Sequence, residues 1–401
     1  MVKQKKSKEE LEESMKQVEE AMSFSLSDIE GIGPVKLKKL NTCGIYVAED
    51  LVIRGTKELA ELLDMDTASC AIMIESARRF LQSKDVVGKA TMTGRELLNY
   101  RTKKIQFLET GAENLDEILG NGYESGVITE FYGEFGCGKT QFCIVASILA
   151  QLPAKRKCFQ CLRVFDDYTV DRCEKCNVKT QTIGGLSEPD KPCRVIYIDT
   201  ENSYRPERML QIIFERELVQ VKERTPMEIK QGKDKEPLNE EERDKALAFL
   251  DNMEVINTSG SGHQILVGEE LGKKIKNEDG EAPVKLIIVD SIINDFRLDF
   301  TGRGEMGDRQ DKLKKHIKHL SRLAEIYNIV MIITNQVMKS PTGFGDPTMP
   351  VGGMVLGHTS THRIYLQKSG KKIVAKLVDS PNNAKDEAII NLTKNGIEDG
   401  E

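Results

Sequence analysis

The sequence lacks any apolar run that approaches the length of a membrane span, although it is 401 residues long. A helix that crosses a bilayer needs about 20 consecutive, mostly apolar residues. The lysine-rich start, from Met1 to Lys6, leads into acidic residues, whereas a secretory signal would continue into an apolar segment. We therefore expect a cytoplasmic protein that has no membrane partner.

An excess of positive charge and a dense set of cysteines are also absent. The formal net charge is -6, which argues against a uniformly basic nucleic-acid coat and limits any nucleic-acid contact to local patches. Nine cysteines are too few for a secreted disulfide scaffold of this length. The chain is long enough to bury a large core and to divide into more than one domain.

A glycine-rich turn that follows an apolar strand is the central motif of the sequence. Residues 133–140 read G-E-F-G-C-G-K-T, which is the P-loop pattern G-x-x-x-x-G-K-[ST]. The glycines allow backbone N–H groups to surround phosphate oxygens, Lys139 supplies a positive charge, and the Thr140 hydroxyl is a ligand for Mg²⁺. The helix expected next directs its dipole at the same phosphates. The predicted nucleotide-binding residues of this motif are Gly133, Glu134, Phe135, Gly136, Cys137, Gly138, Lys139, Thr140 and Gln141.

Four further apolar segments, separated by helical stretches, are typical of buried parallel strands. They are residues 194–200, 253–257, 285–290 and 328–334. Together with the P-loop, this alternation predicts an α/β ATPase core with a doubly wound, mostly parallel sheet and right-handed crossovers.

Polar residues follow the apolar runs of three of these strands, namely Asp290, Glu201 and Gln336. Because the carboxyl ends of parallel strands meet at one sheet edge, we expect these side chains to lie close together. Asp290 would hold Mg²⁺ together with Thr140, Glu201 would be the general base, and Gln336 would sense the terminal phosphate. Each of these residues taken alone is alternatively an exposed polar side chain at a strand end. The prediction therefore rests on the three residues together. The predicted catalytic residues are Lys139, Thr140, Glu201, Asp290 and Gln336.

The composition divides the chain into four parts. Residues 1–25 form a charged tail, and residues 26–83 are typical of a small bundle of four or five short helices. Residues 84–110 form a polar linker with one helix around Arg95 to Arg101. The ATPase core occupies residues 111–401.

A glycine turn within the bundle is typical of a helix-hairpin-helix element. Gly31 and Gly33 flank the turn, and Lys36 follows it. In such an element backbone amides bind a DNA phosphate without sequence specificity. A tight corner used only for packing is an equal alternative for these three residues.

Several longer strings resemble one family, the strand-exchange recombinases of the RecA type, and in particular its archaeal branch. The matching strings are residues 133–141, 197–208, 286–291, 296–304, 334–337 and 351–358. The likeness runs from about residue 26 nearly to the C-terminus, and the strings at 197–208 and 302–304 are more selective than the P-loop. The resemblance implies a RecA-type core and a small all-α helix-hairpin-helix domain.

The resemblance also implies an ATP-dependent, nucleoid-associated filament or ring that coats single-stranded DNA and pairs it with homologous double-stranded DNA. Recombination mediators would be further partners, and Arg208 would stack on the adenine of ATP. Residues 296–309 and 338–358 would be two DNA-facing loops, and their glycine content and local positive charge suit contact with a nucleic-acid strand. The DNA-binding residues predicted in these loops are Arg297, Arg303, Arg309, Gly352, Gly353 and His358.

The sequence departs from the family pattern in three places. Cys137 stands where relatives usually carry a small residue such as serine, which would make ATP hydrolysis sensitive to oxidation. The linker lacks the Phe-x-x-Ala string through which one subunit adds to the next, so the polymerisation contact is not assigned. Residues 379–385, which would cap the neighbour's ATP, end in Lys385. Its charge would replace a cation that an acidic residue recruits in relatives, and ATP hydrolysis would then be independent of potassium.

An insertion at about residues 154–192 replaces a short connection of the family. It contains two C-x-x-C pairs separated by eleven residues, namely Cys158 with Cys161 and Cys173 with Cys176. This spacing predicts a structural Zn²⁺ site, with a redox dithiol as the main alternative. The insertion has too few apolar residues to fold alone, so the metal would stabilise it. The cations around it suit DNA or a protein partner, and an inert solvated knob is an equal alternative.

These observations predict an ATP-dependent DNA recombinase that acts in repair, with DNA-dependent ATPase activity. The missing Phe-x-x-Ala string keeps open a non-catalytic paralogue that acts as a filament mediator. A P-loop kinase that acts on a small substrate is a second alternative, which the hairpin element and the string at 302–304 disfavour.

Overall fold

The structure, a computed structural model, describes residues 24–89, 91–189, 191–219, 240–275, 282–339 and 348–400. The charged tail predicted for residues 1–25 lies almost wholly outside this part, as does the middle of the predicted second DNA-facing loop. Within the described residues, no helix is both long enough and apolar enough to cross a bilayer.

A small helical bundle forms the first part of the described chain. A three-residue 3-10 helix, Leu26–Asp28, precedes four α-helices: α1 (Pro34–Thr42), α2 (Ala48–Ile53), α3 (Thr56–Leu63) and α4 (Thr67–Ser83). The carboxylate of Asp66 caps α4 by accepting a hydrogen bond from the Ser69 N–H at 2.8 Å. Helix α5 (Gly94–Lys104) follows where the sequence predicts one helix, and a Thr93–Glu96 capping box fixes its start.

The remaining elements build the core. The strands are β1 (Phe107–Leu108), β2 (Tyr123–Glu124), β3 (Ile128–Gly133), β4 (Ala154–Lys157), β5 (Val164–Phe165), β6 (Gln181–Gly184), β7 (Arg194–Asp199), β8 (Met253–Asn257), β9 (Val284–Asp290), β10 (Val330–Lys339), β11 (Thr348–Pro350), β12 (His362–Ser369), β13 (Lys372–Asp379), β14 (Glu387–Thr393) and β15 (Gly396–Asp399). The helices are α6 (Glu113–Leu119), α7 (Lys139–Ala150), α8 (Pro206–Glu215), α9 (Glu240–Asp251), α10 (Ser261–Ile275), α11 (Asn294–Asp299), α12 (Met306–Tyr327) and α13 (Gly353–Thr359), with a 3-10 turn at Arg303–Glu305.

One ten-stranded sheet organises the core. Its order is β15-β14-β13-β12-β3-β10-β9-β7-β8, and β11 pairs with β10. The six strands from β12 to β8 run parallel, whereas β13, β14, β15 and β11 pair antiparallel. This arrangement confirms the predicted α/β fold with a mostly parallel sheet. Asn328 adopts a left-handed conformation with φ 52° and ends α12, so β10 begins at Val330, two residues after the predicted start.

The register of the strands determines which candidate residues lie side by side at the edge of the sheet. Gln336 on β10 pairs with Gly133 on β3, and Asp199 on β7 pairs with Asp290 on β9. Gly133, Asp199 and Asp290 are the last residues of their strands, and Gln336 is the last residue of β10 that pairs with β3, so all four lie at one edge of the sheet. The P-loop and the predicted catalytic side chains therefore project from the same carboxyl edge.

The helical bundle shares a hydrophobic core with one face of the sheet. Buried side chains of α2 to α4 form a continuous cluster with those of α10, α12 and β9. Arg322 on α12 also donates to the backbone oxygen of Ile53 at 3.0 Å. On the opposite face, α7 and α8 pack over the sheet in a second cluster.

Candidate functional site

The P-loop connects buried strand β3 to helix α7. Gly136 and Gly138 have φ angles of 76° and 89°, which favour glycine. A Cβ atom at Gly133 would lie 2.4 Å from the Leu366 carbonyl oxygen and 2.7 Å from the Cys137 sulfur, so the chain has no space for a side chain there. These glycines allow a tight turn at the start of α7, as the phosphate-binding motif requires.

The Lys139 ammonium lies within this turn. Its Nζ donates to the backbone oxygens of Gly133 at 3.0 Å and Glu134 at 2.9 Å, and it lies 3.7 Å from the sulfur of Cys137. The thiol is almost completely buried, and burial raises its pKa despite the nearby positive charge. This environment keeps the thiol protonated and opposes the predicted oxidation of Cys137. Phe135, at the tip of the turn, is fully exposed.

Asp290 is buried under hydrogen bonds from three hydroxyl groups. Thr140 and Tyr197 each donate to its Oδ2 at 2.7 Å, and Thr334 donates to its Oδ1. Burial raises the pKa of Asp290, and these hydrogen bonds partly oppose that shift. The Thr140 hydroxyl and the Asp290 carboxylate offer the oxygen ligands that Mg²⁺ takes, so this pair fits the ion.

Glu201 follows β7 in a turn that Asp199 organises. The Asp199 carboxylate accepts hydrogen bonds from the N–H groups of Glu201 at 3.1 Å, Ser203 at 3.1 Å and Tyr204 at 2.9 Å. Oε1 of Glu201 then accepts from the Ser291 hydroxyl at 2.8 Å and from Nε2 of Gln336 at 2.8 Å. The structure thus brings two predicted catalytic residues into direct contact.

Four residues of this site do not stand out in the sequence: Tyr197, Asp199, Ser291 and Thr334. Tyr197 and Asp199 lie in the last three residues of β7, Ser291 directly follows β9, and Thr334 lies two residues before Gln336 on β10. That position was the available signal. Their partners, however, lie on other strands, so the contacts depend on the register of the sheet.

Arg208, the predicted adenine contact, lies on the first turns of α8. Its Nε donates to the Gln141 side chain at 2.8 Å, and its other nitrogens donate to the backbone oxygens of Thr393 at 2.6 Å and Lys394 at 3.0 Å. The guanidinium is therefore held beside the beginning of α7, next to the P-loop.

The two predicted DNA-facing loops follow the carboxyl ends of the adjacent strands β9 and β10. Arg297 is exposed on α11, and Arg309 is half-buried near the start of α12. Gly352 caps α13 with φ 89°, Gly353 has φ 57°, and His358 is exposed on α13. The side chain of Arg303 and residues 340–347 lie outside the described part of the chain.

The predicted hairpin turn is exposed at the surface of the bundle. Gly31 has φ 88°, and no atom lies within 4 Å of a Cβ built at Gly31 or Gly33. Lys36 donates to the backbone oxygen of Gly31 at 2.9 Å, which places its ammonium against the turn. The element before the turn is the short 3-10 helix Leu26–Asp28, where the motif usually has an α-helix.

The four cysteines of the insertion converge at one point. Their sulfur atoms all lie within 4.8 Å of one another, and Cys161 and Cys173 are 3.7 Å apart. Four sulfurs about 2.3 Å from one tetrahedral zinc ion lie roughly 3.8 Å apart. The cluster therefore fits Zn²⁺ with four thiolate ligands.

The two cysteine pairs have the same backbone geometry. The N–H of Cys158 donates to the Arg163 oxygen at 2.9 Å, and the N–H of Cys173 donates to the Val178 oxygen at 2.9 Å. Leu162 and Asn177, which directly follow the second cysteine of each pair, have φ angles of 60° and 54°. The turns are thus matched in structure, and a three-stranded sheet of β5, β4 and β6 supports them.

Comparison with known proteins identifies the family of this chain. The family model described as Rad51 matches residues 101–167 and 240–400. A protein named "DNA repair and recombination protein RadA" from Cenarchaeum symbiosum is 38% identical over 381 residues, which cover 94% of this chain and 80% of the relative. A protein of the same name from Halobacterium salinarum is 35% identical over 379 residues, which cover 93% of this chain and 98% of the relative. The predicted resemblance is confirmed: the chain belongs to the Rad51 family of RecA-type recombinases.

Proposed function

We propose that this protein is an ATP-dependent recombinase that assembles on single-stranded DNA and exchanges strands with homologous double-stranded DNA during repair. The observation that carries the proposal is the shared sheet edge. There the P-loop, Asp290, Glu201 and Gln336 meet at the bases of the two predicted DNA-facing loops, the first of which exposes Arg297. Nucleotide chemistry and DNA contact thus use neighbouring parts of one surface.

ATP and Mg²⁺ are the ligands that the family implies for this edge. Lys139 and the P-loop amides bind the phosphates, and Arg208 contacts the adenine. Thr140 and Asp290 would hold Mg²⁺, which when bound neutralises charge on the phosphate oxygens. Each of these residues thus has one proposed binding role, towards the phosphates, the adenine or Mg²⁺.

Proton transfer from the attacking water is assigned to Glu201. Its Oε1 already accepts two hydrogen bonds, whereas no hydrogen bond to Oε2 is found among the described residues. Oε2 is therefore free to accept a proton from water while the Asp199 turn and Ser291 hold the carboxylate in place. Gln336 connects this carboxylate to the second DNA-facing loop.

DNA binds through three groups of residues in this proposal. The loops at the sheet edge contact single-stranded DNA, and the exposed turn of Gly31, Gly33 and Lys36 contacts a phosphate of double-stranded DNA. Filaments or rings form by self-association, with recombination mediators as further partners, and the protein acts in the cytoplasm at the nucleoid.

The proposal also includes a structural Zn²⁺ site in the insertion. The four convergent sulfurs and the matched turns support zinc over a redox dithiol, because a dithiol needs only two of the four cysteines. The thiolates would hold the ion, and metal binding would supply folding energy to a segment with few buried apolar residues.

ATP hydrolysis with and without single-stranded DNA, measured beside electron microscopy of the same mixtures, tests this proposal. We expect DNA-stimulated hydrolysis and regular filaments, with both lost in Lys139→Ala. ATP and DNA binding with neither stimulation nor filaments would instead support a filament mediator. Phosphoryl transfer to a metabolite without DNA would support a small-substrate kinase.

A further inference from the structure

The side-chain amide of Gln336 bridges Arg297 and Glu201. Nε2 of Gln336 donates to Oε1 of Glu201 at 2.8 Å, and Oε1 of Gln336 accepts a hydrogen bond from Nη1 of Arg297. Because a guanidinium only donates and a carboxylate only accepts, the orientation of the amide is fixed by its two partners. The arginine is therefore connected to the candidate base through a single side chain.

The backbone of Gln336 is held independently of this bridge. Its oxygen accepts from the Val351 N–H at 2.9 Å, and its N–H donates to the Asn335 side chain at 2.8 Å. Asn335 is buried and donates to Glu130 and to the Val351 oxygen, each at 2.8 Å. The main chain is thus anchored to the base of the second loop, and the side chain is the part that is free to reorient.

Arg297 is exposed on α11, the short helix that follows β9. An exposed guanidinium binds a phosphate through two parallel N–H bonds, which are stronger than a bond to a neutral amide oxygen. A backbone phosphate of bound DNA would therefore compete with Gln336 for the same side chain.

We propose that Arg297 is a positioning residue that restrains Gln336 against Glu201 until a DNA phosphate takes the guanidinium. Without DNA, Arg297 holds the Gln336 amide in its hydrogen bond to Oε1 of Glu201. With DNA, Arg297 leaves, and the Gln336 amide is free to turn towards the terminal phosphate. This regulation rests on the proposed ATPase function and deepens it by naming the contact that DNA breaks.

The bridge makes the restraint depend on the shape of the arginine as well as on its charge. A lysine ammonium presents a point charge on a more flexible stem and lacks the planar fork. Arg297→Lys should therefore keep part of the restraint, whereas Arg297→Ala should remove all of it.

The test is steady-state ATP hydrolysis by wild type, Arg297→Ala and Arg297→Lys, each without DNA and with saturating single-stranded DNA. Fluorescence anisotropy sets the saturating DNA concentration for each variant. We expect Arg297→Ala to raise kcat without DNA on the order of tenfold. This factor corresponds to the upper end of the net free energy of one hydrogen bond. KM for ATP should stay constant, the stimulation by DNA should shrink by the same factor, and Arg297→Lys should lie between the two.

Lys314→Ala is the matched control, because it also removes an exposed positive charge, on α12, from a residue with no assigned role. We expect it to behave like wild type. An unchanged or lower DNA-free kcat in Arg297→Ala, with wild-type thermal stability, overturns the restraint. The measurements without DNA test this contact independently of the proposed function. If wild type shows no stimulation by DNA, that result counts against the proposed function and not against the restraint.

Discussion

The hydroxyl of Thr140, on the first turn of the P-loop helix, donates to the carboxylate of Asp290, which is 150 residues later in the chain, over 2.7 Å. This contact joins two potential Mg²⁺ ligands from different elements. Burial raises the pKa of Asp290, although this contact and two further hydroxyl donors oppose the shift. The ionised carboxylate therefore makes the folded state less stable at pH values above its pKa.

Replacing that carboxylate separates function from stability. We expect Asp290→Asn to lower ATP hydrolysis on the order of 100-fold, because a charged oxygen ligand is lost. The unfolding midpoint at pH 7 should stay the same or rise, since no buried charge remains. Hydrolysis assays and differential scanning calorimetry check the two parts. A midpoint several degrees below wild type would show that the three hydrogen bonds outweigh the cost of burial.

The first glycine of the P-loop allows a steric prediction. A side chain at Gly133 would collide with the Leu366 backbone and the Cys137 sulfur, so Gly133→Ala forces the turn to move. We expect nucleotide affinity to fall at least about tenfold and stability to fall by about 1–3 kcal/mol. Gly262→Ala is the control, because its Cβ would meet no atom within 4 Å. Isothermal titration calorimetry with ATP measures the affinity, and wild-type binding by Gly133→Ala would contradict the described turn.

Metal content tests the cysteine cluster directly. Purified wild type should carry about one zinc ion per chain, and Cys176→Ser should lose most of it, because a structural site uses all four thiolates. Cys43→Ser, a half-buried thiol of the helical bundle, should keep the metal. Elemental analysis by mass spectrometry gives the stoichiometry, and limited proteolysis should cut the metal-free insertion first. A zinc-free wild type with a disulfide in the insertion would support the redox alternative.

A buried histidine on α12 should make stability fall in mild acid. His316 packs against Gly268 of α10, and burial lowers its pKa from 6.5 to about 3. The folded state therefore favours the neutral ring, so this stability is fully present above pH 6.5 and is lost as the pH falls towards 3. At pH 5 the loss is about 2 kcal/mol relative to pH 7.

Denaturant unfolding of wild type and His316→Leu at the two pH values isolates this contribution, because leucine does not titrate. The free energy of unfolding of the variant should fall by about 2 kcal/mol less than that of wild type between pH 7 and pH 5. Equal losses in the two proteins would mean that other groups cause the acid sensitivity.

The sequence predicts the central strands and the P-loop because their signals are local. Buried parallel strands such as β9 are nearly continuous apolar runs, and the spacing of glycines and cysteines is set within a few residues. Strands β12 to β15 were not predicted. β13, for example, pairs antiparallel with β12 and β14 and alternates buried and half-buried residues, so lysine interrupts its apolar run.

Contacts across strands are the part of the site that the sequence does not reveal. Gln336 meets Glu201 and Arg297 because β10, β9 and β7 are neighbours in a given register, although the three residues are far apart in the chain. The sequence motif suggested a role for each residue separately. It carried no information on the bridge that connects them.

Strand exchange between labelled single-stranded DNA and a duplex is the measurement that tests the central claim most directly. With ATP and Mg²⁺, the protein should displace a strand from a homologous duplex and leave an unrelated duplex intact. Lys139→Ala should lower the yield on the order of 100-fold, because the charge proposed to bind the phosphates is lost. DNA binding and ATP hydrolysis without any homologous exchange would contradict the recombinase account and identify a filament mediator.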